Sequence, residues 1–108
     1  GKLRALGAVG DARSPFLPNL PTLAEQGFRH IDLTGWLGYF GPADLPPEVV
    51  GRLNAALANA LASHDVKAAF AQGAYEAVGS SPEALAALAR DDHARWGRIV
   101  RDLGFVPR

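Results

Sequence analysis

Apolar residues follow two different rhythms along this chain, and the change between them divides it. Leu3 to Val9 is an almost continuous apolar stretch ending at Gly10-Asp11, a length and setting that predict a buried strand. Pro15, Pro18 and Pro21 then exclude regular structure between Arg13 and Pro21. Thr22 to Gln26 predicts one helical turn, capped by Thr22 and stopped at Gly27. His30 to Phe40 alternates. Ile31, Leu33, Leu37 and Tyr39 form a predicted core face, while Asp32, Thr34, Trp36 and Phe40 form a mixed polar and aromatic face that suits a cleft wall. Gly35, Gly38 and Gly41 predict a bend or a close backbone approach along this strand.

Beyond Pro42 the spacing becomes helical. Pro46-Pro47-Glu48 reads as a first turn, and Val49, Val50, Leu53, Ala56, Leu57, Ala60 and Leu61 form a stripe to about Ala62. Ser63 predicts the cap of a shorter helix containing Val66, Ala69 and Phe70, ended by Gly73. Tyr75 to Val78 reads as a short third strand. Ser81-Pro82-Glu83 opens a last helix whose stripe, Leu85, Leu88, Ala89, Trp96, Ile99, Val100 and Leu103, runs to Gly104. Asp91–Arg95 and Arg98–Asp102 are expected as surface pairs worth a few tenths of a kcal/mol.

The expected fold class is therefore α/β, with two main strands, a short third strand and two to three amphipathic helices. That balance is lopsided. So few strands cannot cover both long helices, which predicts one incomplete structural unit whose missing partners lie upstream. Its 108 residues suit a single domain, and an apolar content of 48% supplies material for a core. Eleven basic and eleven acidic residues cancel, with no basic cluster, which argues against nucleic acid as a partner. The absence of cysteine excludes disulfides and thiolate metal sites. No apolar run reaches the roughly 18–20 residues of a membrane helix, and the Gly1-Lys2 start has no signal-peptide pattern.

Candidate chemistry is sparse. His30, His64 and His93 form no metal-binding pair, and Asp91-Asp92-His93 diverge around a helix, so no metal is expected. Ser14, Ser63, Ser80 and Ser81 sit beside turn or capping signals rather than in a nucleophile elbow. No glycine pattern forms a phosphate loop, and neither catalysis nor a cofactor is expected. Asp92 is the polar anomaly. It falls within the apolar stripe of the last helix, where a carboxylate requires a partner, and a structural tie to a loop or helix N-terminus is the favoured role over ligand contact. Trp36, beside Thr34 and Gly35, suits either a small-molecule cleft or a core position under a helix; Trp96 reads as core alone.

In order and spacing, several blocks resemble the C-terminal region of Bug-type extracytoplasmic solute receptors of tripartite tricarboxylate transporters. They are Arg13-Ser14-Pro15, Leu17-Pro18-Asn19-Leu20-Pro21-Thr22, Thr34-Gly35-Trp36, the run from Pro46 to Leu57, Ser81-Pro82-Glu83 and Trp96 to Val100. The resemblance covers essentially the whole chain. It implies part of a type II periplasmic-binding fold, with residues 1–45 supplying return or crossing strands and a Pro-rich connection, and residues 46–108 supplying helices that complete the first lobe. It also implies a periplasmic location, a small organic acid as ligand and membrane transporter subunits as partners. Ligand-binding residues expected within this chain are Thr34, Gly35 and Trp36, with most of the ligand loops upstream. Leu45 departs from the pattern where a capping Thr or Ser is common, and His64 and His93 replace Pro and an aliphatic residue. The competing reading is an interaction module that self-associates, or pairs with another chain, through exposed apolar surface.

Overall fold

The computed structural model describes residues 2–29, 31 and 33–105. Among these described residues there are three helices: α1 (Pro47–Ala62), α2 (His64–Gln72) and α3 (Pro82–Asp102). Two compact units divide the chain, Gly1–Tyr39 and Phe40–Arg108. Among the described residues no helix is long and apolar enough to cross a membrane.

The predicted sheet does not appear among the described residues. Leu3 to Val9 is extended but pairs only through an isolated parallel bridge between Ala8 and Thr22. Leu33 to Phe40 carries no strand, Tyr75 to Val78 likewise, and the proposed strand start at His30, with Asp32, lies outside the described residues. The physical reason is that a strand exists only through hydrogen bonds to a neighbour, and the described residues supply no neighbouring ladder. The faces also differ from expectation. Leu37 and Tyr39, placed in the core by alternation, are 83% and 76% exposed, whereas Trp36 on the opposite face is half-buried.

In the first unit a hydrogen-bonded turn does the work expected of a sheet. Thr22 Oγ1 accepts from the Glu25 backbone N–H (3.0 Å), and Glu25 Oε2 accepts from the Thr22 N–H (2.7 Å). This reciprocal capping box closes the start of the predicted single turn. Gly27, at φ +97°, closes its end: Gly27 N–H donates to Ala24 O and Phe28 N–H to Leu23 O. The extended segment is laid against that turn. Ala8 N–H donates to Pro21 O (3.0 Å), Leu23 N–H to Ala8 O (2.8 Å) and the Gln26 side-chain amide to Leu6 O (3.0 Å). Thr22 is buried at 2% exposure.

The helices follow the sequence signals closely. Pro47 and Glu48 open α1. Ser63 serves two helices: its N–H donates to Ala60 O at the end of α1, and its hydroxyl accepts from Val66 N–H at the start of α2. Of the predicted stripe of α1, Val49, Val50, Leu57 and Leu61 are half-buried, while Ala56 and Ala60 are exposed. Leu53 is exposed and Asn54 is half-buried, because the Asn54 amide donates to Ser80 O (2.8 Å) and ties α1 to the segment entering α3. Ser81 caps α3 by accepting from Ala84 N–H (3.1 Å). Along α3, Leu85, Ala89, Ile99 and Val100 are half-buried, while Leu88, Trp96 and Leu103 are exposed. Trp96 is therefore not the core residue that its spacing predicts.

Both α2 and α3 end on a left-handed residue that returns N–H groups to the last turn. In α3 this is Gly104 (φ +65°), with Gly104 N–H bonded to Arg101 O and Phe105 N–H to Val100 O. α2 ends at Gly73 as predicted, and its left-handed residue is the next one, Ala74 (φ +56°), with Ala74 N–H bonded to Ala71 O and Tyr75 N–H to Phe70 O. A Cβ in this conformation costs roughly 1–2 kcal/mol. Gly104→Ala is expected to lower helix stability by about 1 kcal/mol, whereas Ala74→Gly leaves it unchanged or raises it. Far-UV circular dichroism through urea unfolding checks the opposed signs, and two losses of equal size would contradict this reading of the caps.

Candidate functional site

Thr34, Gly35 and Trp36 lie in the first unit on an irregular extended segment. Thr34 and Gly35 are exposed, and Trp36 is half-buried. The Thr34 hydroxyl faces Gly10, whose backbone takes the left-handed φ of +106°. A Cβ built on Gly10 would stand 3.1 Å from Thr34 Oγ1, closer than side chains ordinarily approach. The Gly10-Asp11 turn and the Thr34–Trp36 segment are thus brought together, a juxtaposition that strand alternation alone did not predict.

Asp92 belongs to the second unit. It is held by an ion pair from the Arg95 guanidinium one turn along α3, with both side chains largely covered, at 19% and 27% exposure. The sequence paired Arg95 with Asp91, yet the i,i+3 neighbour supplies the contact seen here. The partner that a carboxylate on this stripe requires therefore includes a residue of its own helix.

A second ion pair escaped the sequence reading. Arg13 Nε donates to both carboxylate oxygens of Glu25 (3.1 and 2.9 Å), and its Nη1 reaches Pro18 O (3.3 Å). Glu25 thus joins the capped turn to the Pro-rich loop. The Thr22-x-x-Glu25 spacing is itself a capping-box signature and was legible, whereas Arg13, twelve residues away, leaves no periodic signal. The Arg13 hydrogen bond is the main cause holding the Glu25 carboxyl below its ordinary pKa, with the Thr22 N–H adding in the same direction. The same pair raises the Arg13 pKa. Beside the clamp, Ala5 and the loop from Phe16 to Leu20 line an open, mainly apolar depression. Neither Thr34 nor Trp36 lines it. Among the described residues no three His or carboxylate side chains gather in a metal-binding group.

Residues 1–105 match the model of the tripartite tricarboxylate transporter family receptor. The chain belongs to this receptor family. It is 38% identical over 100 residues to the UPF0065 protein in the tcbD-tcbE intergenic region of Pseudomonas sp. strain P51, covering 92% of this chain and 30% of the relative. It is 33% identical over 101 residues to the UPF0065 protein in the clcB-clcD intergenic region of Pseudomonas knackmussii, covering 93% and 60%. With protein BugT of Bordetella pertussis it shares 32% identity over 104 residues, covering 96% and 32%. Against two of these receptor-family relatives the chain thus spans about a third of their length. No solved structure matches it significantly.

The Glu25 clamp has a defined pH signature. Its folded carboxyl has the lower pKa, so its contribution is present above the unfolded carboxyl value of about 4.3 and is lost as pH falls below that value and through the folded one. Glu83 acts in the same direction, through its own backbone N–H and then the Ser81 hydroxyl. Acid loss of structure, followed by NMR of the Ala8 and Leu23 amides, is therefore expected below about pH 4 and is expected to be shallower in Glu25→Gln. An unchanged acid profile in that variant would count against the clamp.

Proposed function

We propose that this chain is the C-terminal portion of a periplasmic solute-binding receptor that captures a small carboxylated organic molecule for a tripartite tricarboxylate-type transporter. The family match over residues 1–105 carries the proposal. In this reading residues 1–45 contribute crossing strands and the Pro-rich connection of a two-lobed type II periplasmic-binding fold, and residues 46–108 complete the first lobe with helices. The protein binds and delivers its solute without chemistry, and its other partners are the membrane subunits of the transporter.

The exposure of this chain's apolar residues supports such a role. Leu3 (97%), Leu37 (83%) and Tyr39 (76%) stand on segments that the sequence patterns as strands, and no large apolar side chain is buried among the described residues. Further strands would cover them. The Thr34 hydroxyl, the Gly35 backbone and the Trp36 ring offer one wall to a ligand whose carboxylates are held mainly by N–H donors elsewhere in the receptor. The same exposed surface favours the second reading, self-association of the isolated piece, to which α3 would contribute Leu88 and Trp96.

A thermal-shift screen of carboxylates on the full-length mature receptor tests the proposal. A true ligand at a hundred times its Kd stabilises by about 2.7 kcal/mol, and Trp36→Ala or Thr34→Ala is expected to reduce the shift. If no carboxylate shifts the melting temperature, the assigned ligand class fails. If one does and neither variant weakens it, the assigned wall fails.

A further inference from the structure

Of the glycines with left-handed backbone, Gly10 alone among the described residues is also crowded. Gly27 and Gly104 have open space where a Cβ would stand, so their φ values suffice to explain them. At Gly10 the φ of +106° coincides with the approach of Thr34 Oγ1. Gly35, within the Thr34–Trp36 segment, has nothing within 4 Å of a built Cβ. The tight fit around that segment therefore arises across the gap, at Gly10.

The same extended stretch is anchored at its other end. A Cβ on Gly7 would meet Gln26 Nε2 at 2.6 Å and Leu23 Cδ2 at 2.7 Å, and the adjoining Leu6 and Ala8 are hydrogen-bonded to the capped turn. Residues 6–10 thus run from close contact with the Thr22–Gly27 turn to close contact with Thr34. A Cβ at Gly10 would require Thr34 Oγ1 to give by a few tenths of an ångström, while the stretch behind Gly10 is held to the turn at Leu6 and Ala8.

We propose that Gly10 is a positioning residue for the Thr34–Trp36 wall: its bare Cα and left-handed backbone set how closely Thr34, and with it Trp36, stands against the anchored segment. The role rests on the reading of that wall as ligand-lining, and it deepens that reading by naming the residue that fixes the width of the cleft on this side. A side chain at position 10 pushes the wall outward, so a ligand seated on Thr34 and Trp36 loses contact without any change to the residues that touch it.

The chain has two tryptophans, so Trp96→Phe leaves Trp36 as the single reporter. In that background, acrylamide quenching and the emission maximum of Trp36 are compared for Gly10→Ala, Thr34→Ala, Thr34→Ser and the two double variants. Contacting residues show coupled effects, whereas independent ones add. Gly10→Ala is expected to raise quenching and shift emission to the red. The change should persist with Thr34→Ser, which keeps Oγ, and largely vanish with Thr34→Ala, which removes it. The same Gly10→Ala effect in all three backgrounds would show that backbone φ alone is responsible and would overturn the proposal, as would no effect at all. If Gly10→Ala prevents folding, recovery of helicity and of the Trp36 signal in Gly10→Ala/Thr34→Ala supports the contact, and failure to recover refutes it. Titration of citrate, glutamate and nicotinate into the full-length receptor separates the two readings. Coupled Trp36 signals with no binding of these probes would uphold Gly10 while removing the ligand role of the wall.

Discussion

The exchange of hydrogen bonds between Thr22 and Glu25 is the contact on which the first unit depends. Through it a five-residue stretch that is too short to be a stable helix becomes a fixed turn. That turn presents Pro21 O and Leu23 N–H to Ala8, and Gln26 to Leu6, so the only β-bridge among the described residues is a consequence of the cap. The carboxylate that closes the box also receives Arg13, which extends the same anchor to the loop carrying Ser14 to Leu20. Position passes from Thr22 to Ala8, and from Ala8 along the backbone to Gly10 and Thr34.

Backbone closure of this kind takes the place of a core. Side-chain caps at Ser63 and Ser81, and left-handed closures at Gly27, Ala74 and Gly104, close most helical ends, whereas α1 starts at Pro46 with no side-chain cap. Each cap contributes on the order of 1 kcal/mol, whereas full burial of one Leu or Phe contributes roughly 1.5–3 kcal/mol. Among the described residues no apolar side chain is fully buried, so each contributes only part of the larger of these two sources. Two of its matched relatives in the receptor family are about three times as long as the matched segment.

Helices were legible in the sequence because their signals are local. Ser81-Pro82-Glu83 and Gly104 bracket α3, and Ser63 separates α1 from α2, without reference to any distant residue. Strands were not, because alternation at residues 31–40 specifies a face but not the neighbour that must bond to it. The misreadings on the helices have a similar origin. Asn54 turns inward for a carbonyl twenty-six residues away, and Arg95 selects Asp92 over Asp91 by local geometry. Of the candidate site, the residue types at Thr34 to Trp36 were readable, while Gly10 opposite them emerges only from the folded chain. The Thr22-Glu25 box was readable and passed over, and Arg13 was beyond reach of any spacing rule.

Among the described residues the apolar surface is left largely uncovered, and the structure depends on local caps. The urea m-value of the 108-residue chain tests this directly, because m scales with the surface exposed on unfolding. The account predicts a broad transition with m well below about 1 kcal/mol/M, the lower end of the range for small domains. A sharp cooperative transition with m of about 1–2 kcal/mol/M in a monomer would require a buried core within this chain, and would contradict it.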